Sequence, residues 1–570
     1  MLNVTSHTTP THWNPWTHSP IFTLKECLQW TSATTHTYQT GQCQRYPKGI
    51  LVTTDTRGLS EQVKLAQDAG FSVAFMPIVG ETFDGHTFIP EALKAGVQYV
   101  WVETSYWTHH AERLSNSAHQ TPRFTAFWQV QNTLEAYQGL ARGYRLKLAK
   151  LNPAQRVIAL TGSSGKTTVK TLLAEVLSAY GATHASMKNH NNDIGVVQTL
   201  FQAQSHHAYV VIEMGMRGLG EIRRLAQCAL PDIVLTLNVG PAHIGRLGSL
   251  EAIAEAKCEI VEGLFPWGSD DPRYTEASTQ KTARGVWLTN GEDTLIQQRM
   301  LALQETLSPY SWLTLKTFGT PERLTEIGSG TCYRYYSSQK TRIDQIPLPH
   351  LGRHHALNVS AVLEVIETLE LPFTPALDVL EKRSKQTSHA KNDHTLNTGR
   401  WEVLPAQPLT YPQSSGMLHT VFDAYNANPA SMHASLTSFF AWLGQQPYTQ
   451  PPEAEAQTDV LLVLGAMEEL GAYSRQYHIQ LGKQLASWMG ERPIGWHRLF
   501  LIGEQARAVM ETLDELGTCP PTALCDAFDT IEEAQGAFNA WLQDPRRPTK
   551  TVFLKGSRKY HLETLLQASS

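Results

Sequence analysis

The chain lacks any uninterrupted apolar run of the roughly 18 residues that would be read as a membrane-spanning helix. Its opening stretch, Met1 to Pro20, is rich in Thr, His, Pro and Trp and lacks the apolar segment of a signal peptide. Cysteines are few and unpaired in pattern: seven among 570 residues, scattered and without Cys-x-x-Cys spacing. That argues against a disulfide framework or a zinc site and suits a reducing, cytoplasmic compartment. There is no basic run or stripe, and the net charge is −5, so nucleic acid is not an expected partner. No repeat of solenoid type occurs. What is present is ordinary for a globular protein, with 41% hydrophobic and 17% charged residues, and a length that allows about two to four domains.

One stretch organises the rest. Thr161, Gly162, Ser163, Ser164, Gly165, Lys166, Thr167 and Thr168 follow the apolar run Val157–Leu160 and precede a helix-like segment, Val169 to Tyr180. Strand, glycine loop and helix form the context of a phosphate-binding loop. The glycines let backbone N–H groups turn inward, and the helix start adds free donors and partial positive charge. Lys166 is expected to reach the terminal phosphates of ATP and Thr167 to serve Mg²⁺. Leu160 occupies the place of the first glycine of the general pattern.

Strand-like runs alternate with helical ones, which predicts an α/β protein built on parallel sheets with ligands beyond the carboxyl ends of strands. Residues 1–127 read as a small α/β unit with strands near Ile50–Thr54, Phe71–Val79 and Val97–Glu103, and a polar surface insertion over His109–Thr125. Residues 128–385 read as the nucleotide unit, with a helix over Trp128–Lys150. Its strands Tyr209–Ile212 and Ile233–Leu237 end at Glu213 and at Asn238–His243. A buried Glu after a strand needs a positive partner, and Mg²⁺ is the simple candidate. Ser249–Glu262 reads as an amphipathic helix, on which Lys257 is expected to face solvent. Pro266–Thr282 reads as a loop insertion, and Lys382–Asn397 shows no clear element. Residues 386–570 form another α/β unit in which polar clusters follow strands at Asp423–Pro429, Gly465–Gly471 and Lys555–Arg558, with Gln446–Gln457 as a flexible insertion.

These motifs, in this order, resemble the Mur ligases, which join amino acids or peptides to a UDP-linked precursor of the bacterial cell wall. The resemblance rests on Thr161–Thr168 (the family form T-G-x-x-G-K-T accounts for Leu160), Gly80–His86, Asn189–Gly195, Asn238–His243 and Tyr425–Pro429. It implies three domains: a UDP-binding unit, a central P-loop ATPase and a C-terminal Rossmann-like unit. The Y-N-A-N-P and D-G-H stretches favour the dipeptide-adding member, with UDP-N-acetylmuramoyl-tripeptide and D-alanyl-D-alanine as substrates, ATP and two Mg²⁺ ions as cofactors, a bacterial cytoplasmic location and a monomer.

Placed residue by residue, the resemblance implies that Glu213 and His243 bind a second Mg²⁺. Lys257 matches a lysine that the family carbamylates, which would let it approach Mg²⁺ as an anion. Asn358, Arg400 and Asp423 match contacts to ATP. Asp55, Thr56 and Arg57, the loop Asp84, Gly85 and His86, and Asn191, Asn192, Tyr425, Asn426, Asn428, Lys555, Ser557 and Arg558 match substrate-side positions. The catalytic set is Lys166, Lys257 and His243, with either His243 or His478 open as proton acceptor. Three positions depart from the family pattern: His355 for Asn, Ala466 for Asp and Phe422 for Asp. The spacing from Arg57 to Asp84 is stretched. A sibling ligase adding one amino acid, a binding paralogue without catalysis and a generic P-loop NTPase stand as the alternatives.

Overall fold

The computed structural model describes residues 20–38, 48–80, 83–121, 123–268, 271–274, 285–327, 332–338, 341–348, 352–388, 401–412, 415–449, 458–491, 497–517 and 524–567. Four sheets follow one another along the chain. The first has strands β1 (Thr34–Thr37), β2 (Ile50–Thr53), β3 (Ser72–Phe75), β4 (Tyr99–Glu103) and β5 (Ala126–Val130) in the order β1-β5-β4-β3-β2. All its neighbours are parallel except β1 with β5.

The central sheet holds β6 (Arg156–Thr161), β7 (Thr183–Ala185), β8 (Tyr209–Glu213), β9 (Ile233–Thr236), β10 (Gly285–Asn290) and β11 (Leu313–Phe318). Its order is β11-β10-β9-β6-β8-β7, parallel throughout. The chain winds from β6 to one side through β7 and β8 and then crosses to β9 on the other. The carboxyl end of β6 is therefore a topological switch point, where such sheets open a crevice. A small antiparallel sheet follows, β12 (Leu324–Ile327), β13 (Cys332–Tyr336) and β14 (Arg342–Ile343).

The last sheet holds β15 (Glu402–Val403), β16 (Gln407–Thr410), β17 (Ser415–Asp423), β18 (Thr458–Gly465), β19 (Arg498–Ile502), β20 (Leu524–Phe528) and β21 (Thr549–Lys555). Its order is β15-β17-β21-β18-β19-β20, with β16 also on β17. From β17 to β20 the pairs are parallel, so Asp423, Lys555 and Gly465 end neighbouring strands at one edge of this layer. The buried runs Val157–Leu160, Val210–Ile212, Val460–Leu464 and Val552–Leu554 are apolar throughout because helices cover both faces of a parallel sheet.

Several expectations are corrected. Trp128 lies in β5, and the helix begins at Thr133 and runs to Leu151; the short aromatic strand and the helix beside it are both apolar, and their periods blur. A boundary at residue 127 would therefore cut a strand, and one at 385 would cut the helix Phe373–Ser388, which occupies the start of the stretch expected to lack an element. The polar segment after β4 is a helix, Thr104–His119, that buries only Leu114 and Ala118 and otherwise packs through stacked rings. Its scarcity of aliphatic contacts is what made it read as an insertion. The other proposed insertions fall mostly outside the described residues: 269–270 and 275–284, and 450–457 beyond a short turn at Pro447–Thr449. Residues 1–19 lie outside them as well.

The helix Thr133–Leu151 ties the first sheet to the central one, and Glu26 pairs with its Lys147 at 2.9 Å. Its Gly143 is packed so closely that an added Cβ would sit 2.1 Å from the Trp30 ring. Gly143→Ala is therefore expected to destabilise the protein by about 1–3 kcal/mol through overpacking. By contrast Gly536, inside the helix Ile531–Gln543, has nothing within 4 Å of that position. Gly536→Ala is expected to stabilise by about 0.5–1 kcal/mol. Thermal or urea unfolding of the two variants checks both signs.

Candidate active site

The P-loop backbone is held from outside. Ser163 N donates to Asn238 O at 3.0 Å and Ser164 N to Asn238 Oδ1 at 2.8 Å, while Asn238 Nδ2 donates back to Ser164 O. Ser163 Oγ exchanges bonds with the backbone of Gly240. The residues after β9 thus brace the loop after β6. Gly165 caps the helix Lys166–Leu177 in the left-handed region at φ 77°, and a Cβ there would meet Asn358 Oδ1 at 2.9 Å. Lys166 Nζ donates to Gly162 O at 2.7 Å and so lies folded over its own loop.

Glu213, at the end of β8, is 2% exposed. Thr167 Oγ1 donates to its Oε2 at 3.0 Å and Asn191 Nδ2 to its Oε1 at 2.9 Å. Lys170 Nζ stands 3.4 Å from Oε2 and donates to the backbone of Lys188. Lys170 was not anticipated as a site residue, although it lies four positions after Lys166 on the same helix, the spacing that stacks side chains on one face. Asn192 lines the same cleft, with its side chain capping the helix Asp193–Gln202.

Lys257 is the largest reversal. It is 2% exposed on the helix Leu250–Cys258, not on a solvated face, and has no hydrogen-bond or ion-pair partner among the described residues. Burial, with the Lys166 charge nearby, pushes its ammonium well below the usual lysine range. Helical periodicity gave no sign of this, because the residue it faces comes from another element.

Glu213, Asn192 and Lys257 line one cleft of about 700 Å³, together with Ser163–Thr168, Asn191, His243 and Asn358 of the central unit and Asp423, Tyr425, Asn426, Asn428 and Lys555 of the last. Asp423 accepts from Ser435 Oγ at 2.5 Å and pairs with Lys555 Nζ at 3.0 Å; Lys555 also donates to Asn426 O at 2.8 Å. Asn428 caps the helix Pro429–Leu443 through Ser431, which uses its Oδ1. The cleft is rich in cations, Lys166, Arg217, Arg383 and Lys555 among them, as a polyanionic ligand requires. Thr167 and Glu213 offer adjacent oxygens and His243 an imidazole. Among the described residues no three His, Cys, Asp or Glu side chains gather as a cation site. A divalent ion here would draw the rest of its shell from phosphate oxygens and water, which suits Mg²⁺.

Other predicted residues fall elsewhere. Arg400 lies outside the described residues. Ser557 and Arg558 do not line the cleft; Ser557 caps the turn Arg558–Tyr560, and Arg558 N donates to Tyr425 O. Asp55, Thr56 and Arg57 follow β2, with Arg57 and Asp55 paired at 2.6 Å, and Asp84, Gly85 and His86 come after β3, its parallel neighbour. His86 is 1% exposed and cannot meet a ligand: its Nδ1 is 2.6 Å from Asp84 Oδ1, and its Nε2 accepts from Glu103 N at 3.0 Å. It orients the half-exposed Asp84 instead. Gly85 is required by close packing, since a Cβ would lie 2.5 Å from Ile78 O. His478 is excluded as a proton acceptor because it is fully buried outside the cleft, with Nε2 accepting from Met467 N and Nδ1 donating to Ser474 O.

The three departures have physical places. Phe422 is packed in the core of the last unit, Ala466 is buried with its N–H on Ile502 O, and His355 lines the cleft beside Asn358. His354, next to it, also lines the cleft; burial pushes its imidazole down to about 4 against the opposing pull of Asp423. The folded protein sheds a proton there that the unfolded chain keeps, so this residue adds stability above pH 6.5 and loses it as pH falls toward about 4. His354→Gln is expected to remove up to about 3 kcal/mol of acid destabilisation. The check is the difference in unfolding free energy between variant and parent at pH 7.5 and near pH 4.

The Mur ligase middle domain matches residues 160–366. The UDP-N-acetylmuramoyl-tripeptide–D-alanyl-D-alanine ligase of Synechocystis is 31% identical over 430 residues, 75% of this chain and 76% of the relative. That of Bacillus subtilis is 30% identical over 81% of each chain, and that of Escherichia coli 26% identical over 91% of this chain and 93% of the relative. A crystal structure of MurF from Acinetobacter baumannii superposes with a TM-score of 0.69 at 26% identity, covering 97% of this chain and 99% of the other. MurF of Thermotoga maritima in complex with ADP shares the fold, with a TM-score of 0.59 at 20% identity over 93% and 98% of the two chains.

Proposed function

The chain belongs to the Mur ligase family, and from that premise we propose how its cleft performs the ATP-dependent ligation of D-alanyl-D-alanine to UDP-N-acetylmuramoyl-tripeptide. The observation that carries the reading is the meeting in one cleft of the P-loop, buried Glu213 and Lys257 with Asp423, Tyr425 and Lys555 of the last unit. A sibling ligase, a binding paralogue and a generic NTPase are less favoured, because the relatives that match most of the chain carry this one activity.

The peptide carboxylate attacks the γ-phosphorus of ATP, giving an acyl phosphate and ADP. The amine of D-alanyl-D-alanine then attacks the acyl carbon, and the tetrahedral adduct releases phosphate and leaves the amide. The first step brings two anions together. Lys166 offsets their repulsion, and the P-loop N–H groups hold the phosphates. Thr167, Glu213 and His243, with Lys257 once carbamylated, would hold Mg²⁺, which when bound screens the charge of the phosphate oxygens. Carbamylation needs an unprotonated amine, and the burial of Lys257 favours that form. Lys170 gives Glu213 Oε2 a positive partner at 3.4 Å without occupying its whole surface. Asp423 and Lys555 approach from the last unit, so seating of the nucleotide couples to closure, which keeps water from the acyl phosphate. With His478 buried outside the cleft, His243 is the acceptor left for the proton of the attacking amine, a role open to its cleft-facing nitrogen only while that nitrogen does not hold the ion.

In this reading the first unit, through Val130, binds the UDP moiety with Asp55, Thr56, Arg57 and Asp84; the central unit binds ATP, through Asn358 among others; and the last binds the dipeptide. Arg400 is assigned to ATP, and Ser557 and Arg558 to shaping the substrate loop at Tyr425. A monomer and a cytoplasmic location go with it. No helix among the described residues is long and apolar enough to cross a membrane.

Phosphate release from ATP is expected to require both the UDP-tripeptide and D-alanyl-D-alanine, with the pentapeptide product seen by mass. Release without either acceptor would favour the NTPase, and turnover with a single amino acid in place of the dipeptide would favour a sibling. Lys166→Ala and Glu213→Ala should each lower kcat about 10²–10³-fold. Lys257→Ala should be inactive and regain rate with an added short-chain carboxylate; full activity without it would remove the carbamate from the mechanism.

A further inference from the structure

We propose that Glu469 is a positioning residue for His243: a carboxylate from the last unit fixes the imidazole of the central one, so the reaction centre is complete only when the two units are docked. The inference rests on the reading of His243 as a site residue and goes beyond it, since nothing in that reading involves Glu469.

His243 follows β9 and Glu469 follows β18, so the contact spans two sheets. His243 Nδ1 lies 2.6 Å from Glu469 Oε2. Two lone pairs at that distance would repel, so the proton of a neutral ring sits on Nδ1, which leaves Nε2 as the nitrogen available to the cleft that His243 lines. The carboxylate lies off the N–H axis, since buried Nδ1 has no linear hydrogen bond. A small movement of the last unit would align or break the pair.

The backbone has been bent to make this meeting. His243 and Glu469 both sit in the left-handed region, at φ 66° and 64°, where residues other than glycine are uncommon and persist only when their surroundings demand it. Beside them the two chains touch through glycines: Gly245 N donates to Glu469 O at 3.3 Å, and a Cβ on Gly245 would lie 2.7 Å from Gly471 N. The charges of Arg246 and Arg217 also act on the carboxylate and favour its ionised form. A separate bond, Tyr473 Oη to Gly248 O at 2.8 Å, joins the same two units without touching His243. Docking and positioning can therefore be separated by mutation.

The test compares E469A, E469Q, H243A, the double variant H243A/E469A and Y473F in full-length protein, by steady-state kinetics with all three substrates. Expected is a fall in kcat for E469A of roughly 10–100-fold, as when the outer partner of a working histidine is removed. E469Q should retain most of the rate, since its amide oxygen can take the place of Oε2 beside Nδ1, and Y473F should match the parent. The double variant should be no slower than H243A, the non-additivity of residues acting as a unit. A second readout needs no turnover: in histidine-selective ¹⁵N spectra of the ligand-free protein, the signal lost in H243A should report the Nδ1–H tautomer in the parent and in E469Q, and shift toward Nε2–H in E469A. If H243A is impaired while E469A keeps the parental kcat and tautomer, the inference is overturned and the reading of His243 stands. If H243A itself keeps full activity, that reading falls and the inference with it. Additive losses, with Y473F as slow as E469A, would mean that Glu469 serves docking alone and would overturn the positioning role.

Discussion

A buried carboxylate sets the terms for the centre of this protein. Glu213 ends β8, the strand beside the sheet's switch point at β6, nearly closed to solvent, where an unpartnered charge would cost several kcal/mol. Its neighbours are arranged to prevent that. Thr167 and Lys170 reach it from the P-loop helix, and Asn191 reaches it from the polar loop that precedes the next helix. The sequence after β6, the loop before Asp193 and the end of β8 are thereby held in register by one side chain. The same oxygens make the site receptive to a cation. A polar cluster that would otherwise burden the fold becomes the place where phosphate charge can be handled.

The opposite problem is posed by Lys257. Burial of this amine without a counter-ion disfavours its charged form, and Lys166 nearby pushes the same way. The fold thus places a lysine amine in the same cleft as Glu213 and the phosphate-binding loop. Charge balance in the cleft closes only when anions arrive, which makes ligand binding and the assembly of the site parts of one event. Docking of the last unit follows the same logic. It meets the central unit through glycine backbones at Gly245 and Gly471, where side chains would hold the two apart, and brings Glu469 within reach of His243.

The departures from the family pattern become intelligible as packing. Phe422 points into an apolar core shared with Leu461 and Leu554, while the neighbouring Asp423 carries the charge toward the cleft. Ala466 fills a closed position whose backbone N–H is spent on β19. Neither change removes a group from the P-loop or from the surroundings of Glu213. His355 is different, since it lines the cleft, and it is the departure closest to the chemistry.

Sequence by itself determined the P-loop, the alternation of strands and helices, and the strand ends that carry Glu213, His243, Asp423 and Lys555, because glycine turns, apolar runs and residue order are local properties of the chain. It misjudged the helix Thr104–His119, whose packing is by stacked rings and not by an aliphatic stripe, and the strand at Trp128, where two apolar patterns adjoin. It also left His478 open as a base and His86 as a ligand contact, although tertiary contacts use up the ring nitrogens of both. Only the tertiary structure decided the state of Lys257, the balance at Glu213 and the reach of Glu469 to His243. Burial and electrostatic partnership depend on which distant segments are brought together, and a helix's own periodicity cannot say what lies across from it.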